Sequence, residues 1–259
     1  MSVHPFVGQG FSADASMRFW DDYAHIYMGD VLQGDIPERV VADLMDDGLI
    51  NNVSRVLEFG CGPGTYSIPL ARKVQSVSCV DSSPKMIEKL SERSSAEGLD
   101  NITCVQSDFS RFTSDKRFDL VISTICPGTA SLEGLRLMES HSNGPCCHAM
   151  WYRNALDDLN AEIWHNLGYD YSYDGRKKSI ASENLRRMGR GHTVRMYDTD
   201  VVLDVPLETF MARERKSFVL HGIGDVGEAV MDVIDPFLCD GTVHLELENR
   251  MRVITWEVS

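Results

Sequence analysis

Between residues 53 and 152, apolar runs of strand length alternate with amphipathic segments of helix length, and this alternation constrains the fold more than any other feature of the chain. Residues 53–59, 76–80, 102–106, 118–125 and 146–152 read as strands, and residues 66–73, 84–95 and 132–139 as helices between them. The fourth run carries no charged residue after Asp119, as suits a strand covered on both faces. Ser82-Ser83-Pro84 supplies an N-cap followed by a proline suited to a first helical turn. Strands separated by helices of this length are joined by crossovers, so the predicted class is α/β, with a mostly parallel sheet covered on both faces.

Outside that core the rhythm changes. Residues 1–52 read as a helical N-terminal region, with FWDDYAHIY at 19–27 and IPERVVADLMDDGLI at 36–50. Residues 153–205 read as an insertion beyond the 53–152 core, and residues 206–259 as a closing helix with two strands, 242–248 and 251–258. A short Asn249-Arg250 turn between those strands predicts an antiparallel pair.

Charge and cysteine usage narrow the function classes. The chain of 259 residues carries a formal net charge of -14, which repels a polyanion and argues against nucleic acid as the general partner. Its 7 cysteines include no CxxC pair and mostly lie in strand-like runs, where a free thiol acts as a small hydrophobe. Neither a disulfide framework nor a metal site is expected. Cys146-Cys147 reads as core rather than a redox pair. No apolar run approaches the roughly 18 to 20 residues needed to span a bilayer. With no secretory signal visible, the expected setting is the cytoplasm, with no membrane partner.

The chemistry concentrates at strand ends. VLEFGCGPGTYS (56–67) places Gly60, Gly62 and Gly64 directly after the first strand and before a helix. A glycine turn of this kind presents backbone N–H groups to a ligand. Thr65 stands where a dinucleotide loop would have its third glycine, and Glu58 would repel a pyrophosphate, so a nicotinamide cofactor is disfavoured. Glu58 instead suits an ammonium, held directly or through water. Asp81, ending the second strand, suits the two hydroxyls of a ribose, and Asp108-Phe109 after the third suits the amine and ring face of an adenine. Ribose, adenine and amino acid without phosphate describe S-adenosylmethionine.

These motifs, with VDSSPKMIEKL (80–90), QSDF (106–109) and FDLVIST (118–124), resemble those of class I S-adenosylmethionine-dependent methyltransferases over roughly residues 15–152. The resemblance implies a Rossmann-like seven-stranded sheet with its last strand antiparallel. It implies Glu58, Gly60 and Gly62 at the methionine part, Asp81 at the ribose, Met86 at the adenine edge, and Asp108 with Phe109 at the adenine, with Cys61, Gly64, Ser82 and Thr124 also among the cofactor-binding residues. It also suggests a covering N-terminal helix, with Trp20, Tyr23 and Tyr27 as lid residues and with the two tyrosines near the acceptor.

Methyl transfer is an in-line displacement, so no diagnostic catalytic residue is required, and none is assigned. Ser123-Thr124-Ile125-Cys126-Pro127 lacks the Asn/Asp-Pro-Pro-aromatic of amine-methylating relatives and reverses the Pro-Cys of RNA cytosine methyltransferases. Cys126 is accordingly a candidate at the acceptor, and His141, His148, His165 and His192 are candidate bases. The insertion reads as the acceptor-specificity element. Within it, Arg176, Lys177, Lys178, Arg186, Arg187, Arg190 and Arg195 face one acid, Glu183. They form either a solvated face or a seat for an anionic acceptor (carboxylate, phosphate or RNA backbone). The expected activity is methyl transfer to a small-molecule or protein acceptor. The alternatives are an RNA methyltransferase and a non-catalytic cofactor-binding partner subunit.

Overall fold

In a computed structural model the described residues are 13–154, 156–169, 180–219, 223 and 226–258. Five strands are laid down first: β1 (Arg55–Phe59), β2 (Ser76–Asp81), β3 (Ile102–Gln106), β4 (Leu120–Thr124) and β5 (Pro145–Arg153). They pair in parallel in the order β3-β2-β1-β4-β5. All five residues of β4 are buried, which is why its sequence shows no polar alternation. β3 lies at the edge, with Val105 exposed.

The helices α4 (Ser67–Ala71), α5 (Pro84–Ala96) and α6 (Leu132–His141) connect these strands. Ser83 caps α5 by accepting from the Met86 N–H at 3.2 Å, and Ser131 caps α6 by accepting from Gly134 N–H at 3.0 Å.

The chain's late segment differs from the expected hairpin. β8 (Thr242–Glu257) is a single strand of 16 residues with no turn at Asn249-Arg250. Asn249 is buried, and its Nδ2 donates to the Leu32 carbonyl at 2.9 Å, so the amide is satisfied by a neighbouring helix and the strand runs on. β8 pairs antiparallel with β5 on one side and with β6 (Thr193–Pro206) on the other. β6 thus forms from residues read as part of an insertion. The actual tight turn is Asp240-Gly241, both with positive φ (48° and 75°), joining β7 (Leu238–Cys239) to β8. That Asp-Gly pair favours a two-residue hairpin whose central residues are both left-handed.

Burial follows from this topology. One face of the sheet packs on α3 (Ile36–Asp46) and α4 through Ile36, Val40, Leu44, Ile68 and Leu70. The other face packs on α6 and α8 (Ile180–Arg187) through Leu135, Met138, Ala181 and Leu185. The first half of β8 and the last of β6 extend past β5. There their alternating apolar residues meet α7 (Leu156–Asn166), α9 (Leu207–Val219) and α10 (Gly227–Ile234) in a further core containing Trp164, Phe210, Phe218 and Val230. The N-terminal α1 (Ala13–Tyr23) and α2 (Gly29–Gln33) lie against α5, β6 and β8.

Candidate functional site

The parallel strands end at a common edge, and a cavity of about 390 Å³ opens there. Its floor is the turn after β1. Gly60, Gly62 and Gly64 have φ of 74°, 51° and 93°, a region costly to side-chain-bearing residues. A Cβ on Gly60 would stand 2.7 Å from the Cys126 Cβ, so the close approach of this turn to the chain after β4 requires glycine. At Gly62 the space a Cβ would fill is open. Gly64 packs under Leu90 and does not line the cavity.

Asp81 stands at the end of β2 with one carboxylate oxygen accepting from Gly62 N–H and the other from Ser83 N–H, each at 2.9 Å. Burial raises its pKa against those bonds. Each oxygen retains a second lone pair, so the carboxylate has acceptor capacity left for a ligand. Ser82 and Met86 line the same wall. Beyond them Asp108 accepts from Ser110 N–H at 2.9 Å and also from the Ser110 hydroxyl. The Phe109 ring lies against Gly128, where an added Cβ would meet it at 2.5 Å.

At the end of β4, Thr124 lines the cavity and donates its hydroxyl to Glu58 Oε1 at 2.7 Å. Ile125 has φ of 48°, a backbone state rare for a β-branched residue, and also lines the cavity. Cys126 lines it too, with its thiol pushed up to about 12 by burial.

Glu58 is placed differently from expectation. It is fully buried behind the wall, with its second oxygen accepting from the Ser67 hydroxyl at 2.5 Å, and it is absent from the cavity lining. Burial pushes its carboxyl up to about 7 against those two hydroxyl bonds. Its role in the structure is to join the glycine turn, α4 and β4.

The N-terminal segment forms the opposite wall. Asp21 accepts from the Ser83 hydroxyl and Lys85 N–H, both at 3.0 Å, which fastens α1 to the start of α5. Arg93 holds Asp30 at 2.8 Å and the Pro63 carbonyl at 2.9 Å, while Thr65 donates to the other Asp30 oxygen. These bonds tie the segment to the glycine turn. Trp20 and Tyr27 line the cavity. Tyr23 does not. Its ring lies between those of Phe19 and Tyr27, and its hydroxyl accepts from Arg213 Nε at 3.0 Å.

The basic stretch does not converge on this cavity. Arg176, Lys177 and Lys178 lie outside the described residues. Arg186 is exposed on α8 away from the cavity lining, and Arg187 donates to Asn184. Arg190 pairs with Glu139 at 2.8 Å, and Arg195 with Asp43 and Asp47. None of the four candidate histidines lines the cavity either, and His148 is held down to about 4 by burial inside β5. Among residues not singled out from the sequence as cofactor-binding, Gln33, Thr65, Tyr66 and Ser107 line the cavity. Thr65 and Tyr66 fall within the glycine motif and Ser107 within QSDF, whereas Gln33 falls within none. Among the described residues no group of side chains is arranged to hold a metal ion, and no helix is long and apolar enough to cross a membrane.

Residues 56–136 match a family model described as a methyltransferase domain. The strand order above is the Rossmann-like α/β arrangement that this stretch shares with solved methyltransferases. Among curated proteins, the chain is 32% identical over 113 residues to the 23S rRNA (uracil(1939)-C(5))-methyltransferase RlmD of Idiomarina loihiensis. That alignment takes in 43% of this chain and only 25% of the relative. Among solved structures, a putative methyltransferase from Bacillus halodurans aligns with a TM-score of 0.54 at 14% identity, over 84% of this chain and 98% of that one. The magnesium protoporphyrin IX methyltransferase of Synechocystis PCC 6803, solved with bound SAH, aligns with a TM-score of 0.50 at 15% identity, over 98% of this chain and 91% of that one. At these identities the structural likeness is one of fold.

Proposed function

We propose that the cavity binds S-adenosylmethionine and that the chain, in the cytoplasm, transfers the methyl group to a small-molecule or protein acceptor by in-line displacement. The observation that carries this reading is the convergence of the glycine turn, Asp81, Asp108-Phe109 and Thr124 on one cavity. The residues suit the group. The remaining lone pairs of Asp81 match a ribose diol, Asp108 matches an exocyclic amine, the Phe109 and Met86 side chains offer apolar contact to a ring, and the open side of Gly62 admits a close backbone approach.

The cofactor, when bound, supplies an electrophilic methyl on a sulfonium, and the protein's task is then to align and to exclude water. Alignment alone supplies on the order of 7 to 11 kcal/mol toward such a barrier. The strained turn at Ile125 and the wall of α1 and Tyr27 fix the geometry at that end and shield it.

The RNA relatives favour a second reading, an RNA acceptor. Carbon 5 of a uracil is a weak nucleophile unless another nucleophile first adds to the ring. The two cavity thiols are poor candidates for that step. Cys126 is pushed up to about 12 by burial. Cys61 is drawn down by a hydrogen bond with Cys79, but burial and nearby acids push it up to about 12 as well. Neither is an activated thiolate at neutral pH. The net charge of -14 adds to that argument.

Calorimetric titration with S-adenosylhomocysteine, followed by a screen of acceptors with labelled methyl donor, tests the proposal. Micromolar binding and label transfer to a small molecule or protein are expected. Binding without transfer to any acceptor class supports a non-catalytic subunit, transfer to RNA supports the second reading, and no binding removes the cofactor assignment.

A further inference from the structure

The glycine-turn acid expected to face an ammonium is sealed behind the wall, so the cavity needs another acceptor if it is to hold an amino-acid moiety. One side chain offers it. Gln33, the last residue of α2, is 1% exposed and lines the cavity. Its Nε2 donates to the Gly29 carbonyl at 3.1 Å. A carbonyl can only accept, so this bond fixes which amide atom is the nitrogen and leaves Oε1 as a pure acceptor. Oε1 is buried with no hydrogen-bond partner among the described residues. Leaving such a group unsatisfied is costly, so a ligand donor that reaches it is rewarded.

The order of the sheet fixes which end of a ligand arrives there. Along β3-β2-β1-β4-β5-β8-β6, Asp108 follows β3, Asp81 ends β2, and the glycine turn and Thr124 follow β1 and β4. Gln33 lies on the far side. The adjoining Gly34 sits against Thr199 and Val201 of β6, and the preceding Leu32 carbonyl accepts from Asn249 of β8. Tyr27 reaches the same place: its phenol lies over Gly29, and a bond with Thr65 ties it to the glycine turn. An adenosine held at Asp108 and Asp81 therefore directs its amino-acid end toward Gln33. The charged neighbours there, Asp30 and Arg93, neutralise each other.

Resting on the cofactor reading above, we infer that Gln33 Oε1 accepts a hydrogen bond from the α-ammonium of the cofactor's amino-acid end. A lone acceptor selects the ammonium over the carboxylate, and it does so without the charge that a glutamate would place beside Asp30.

The test compares S-adenosylhomocysteine with its desamino analogue, which carries hydrogen in place of the α-amino group, by calorimetry on the wild type, Gln33→Leu and Gln33→Glu. Wild type should bind S-adenosylhomocysteine about ten- to a hundredfold more tightly than the analogue, as loss of a charge-assisted bond predicts. Gln33→Leu should lose that preference by weakening only the amino-bearing ligand, and Gln33→Glu, which keeps an acceptor, should retain it. Equal weakening of both ligands in Gln33→Leu would mean a packing role, and unchanged affinity would mean that Gln33 does not touch this cofactor. Either result overturns the inference while leaving the cofactor reading intact. Failure of the wild type to bind S-adenosylhomocysteine overturns both.

Discussion

At the scale of the residue, the most perturbed acid next to the cavity is Glu58. Its folded pKa of about 7 lies above the ordinary value of 4.5 because burial disfavours the carboxylate. The folded state therefore holds a proton that the unfolded chain releases between those two values. Stability falls as pH rises from about 4.5 to about 7 and is level above that window, by an amount on the order of 3 kcal/mol. Glu58→Gln keeps one acceptor oxygen for the two hydroxyls of Ser67 and Thr124 and presents an amide donor to the other, without the ionisation. Urea titrations at pH 5 and pH 7.5 should show the wild type losing stability relative to the variant across that interval. Parallel behaviour of the two would mean that Glu58 is ionised throughout.

The element that carries the site is the turn between β1 and α4, and its constraint is shared with the turn after β4. Gly60→Ala adds a Cβ in a left-handed backbone and brings it against Cys126 Cβ and the Thr124 carbonyl. The backbone term alone costs about 1 to 2 kcal/mol. Cys126→Gly should relieve the steric part, so the double variant should be more stable than the two single losses add to, as measured by denaturant midpoints. Strict additivity would show that the turns do not press on each other.

This turn was legible in the sequence, and so were Asp81 and Asp108, because each stands where an apolar run gives way to polar residues. Gln33 was not legible. It lies 27 residues before Gly60 in a polar stretch of no motif, and only the docking of α2 on β6 and β8 brings it to the cavity. Glu58 misled for the opposite reason, since a strand-end acid looks the same in sequence whether it faces a ligand or the back of its own loop.

For the whole molecule, Glu139 is a joint between parts distant in sequence. It accepts from Arg190 at 2.8 Å and 2.9 Å and from Trp256 Nε1 at 3.1 Å, linking α6, the chain after α8 and β8. Glu139→Ala would strand the buried Trp256 donor, at a cost of about 1 to 3 kcal/mol, and would take the carboxylate away from the partly exposed Arg190. A fall in thermal midpoint of several degrees is expected, with Glu139→Gln losing less. The order β5-β8-β6 explains why the sheet's second half was hard to read. An antiparallel strand between two others is buried on alternating terms, and the polar Asn249-Arg250 step within it imitates a turn while Asp240-Gly241 makes the real one.

That order also sets a schedule for synthesis. β6 is made before β8 yet among the described residues pairs with no other strand, and β5 keeps an open edge until β8 lies beside it. A nascent chain therefore lacks both of these pairings until β8 has cleared the ribosome. Both pairings form together when β8 arrives, and until then these edges are open to a neighbouring chain.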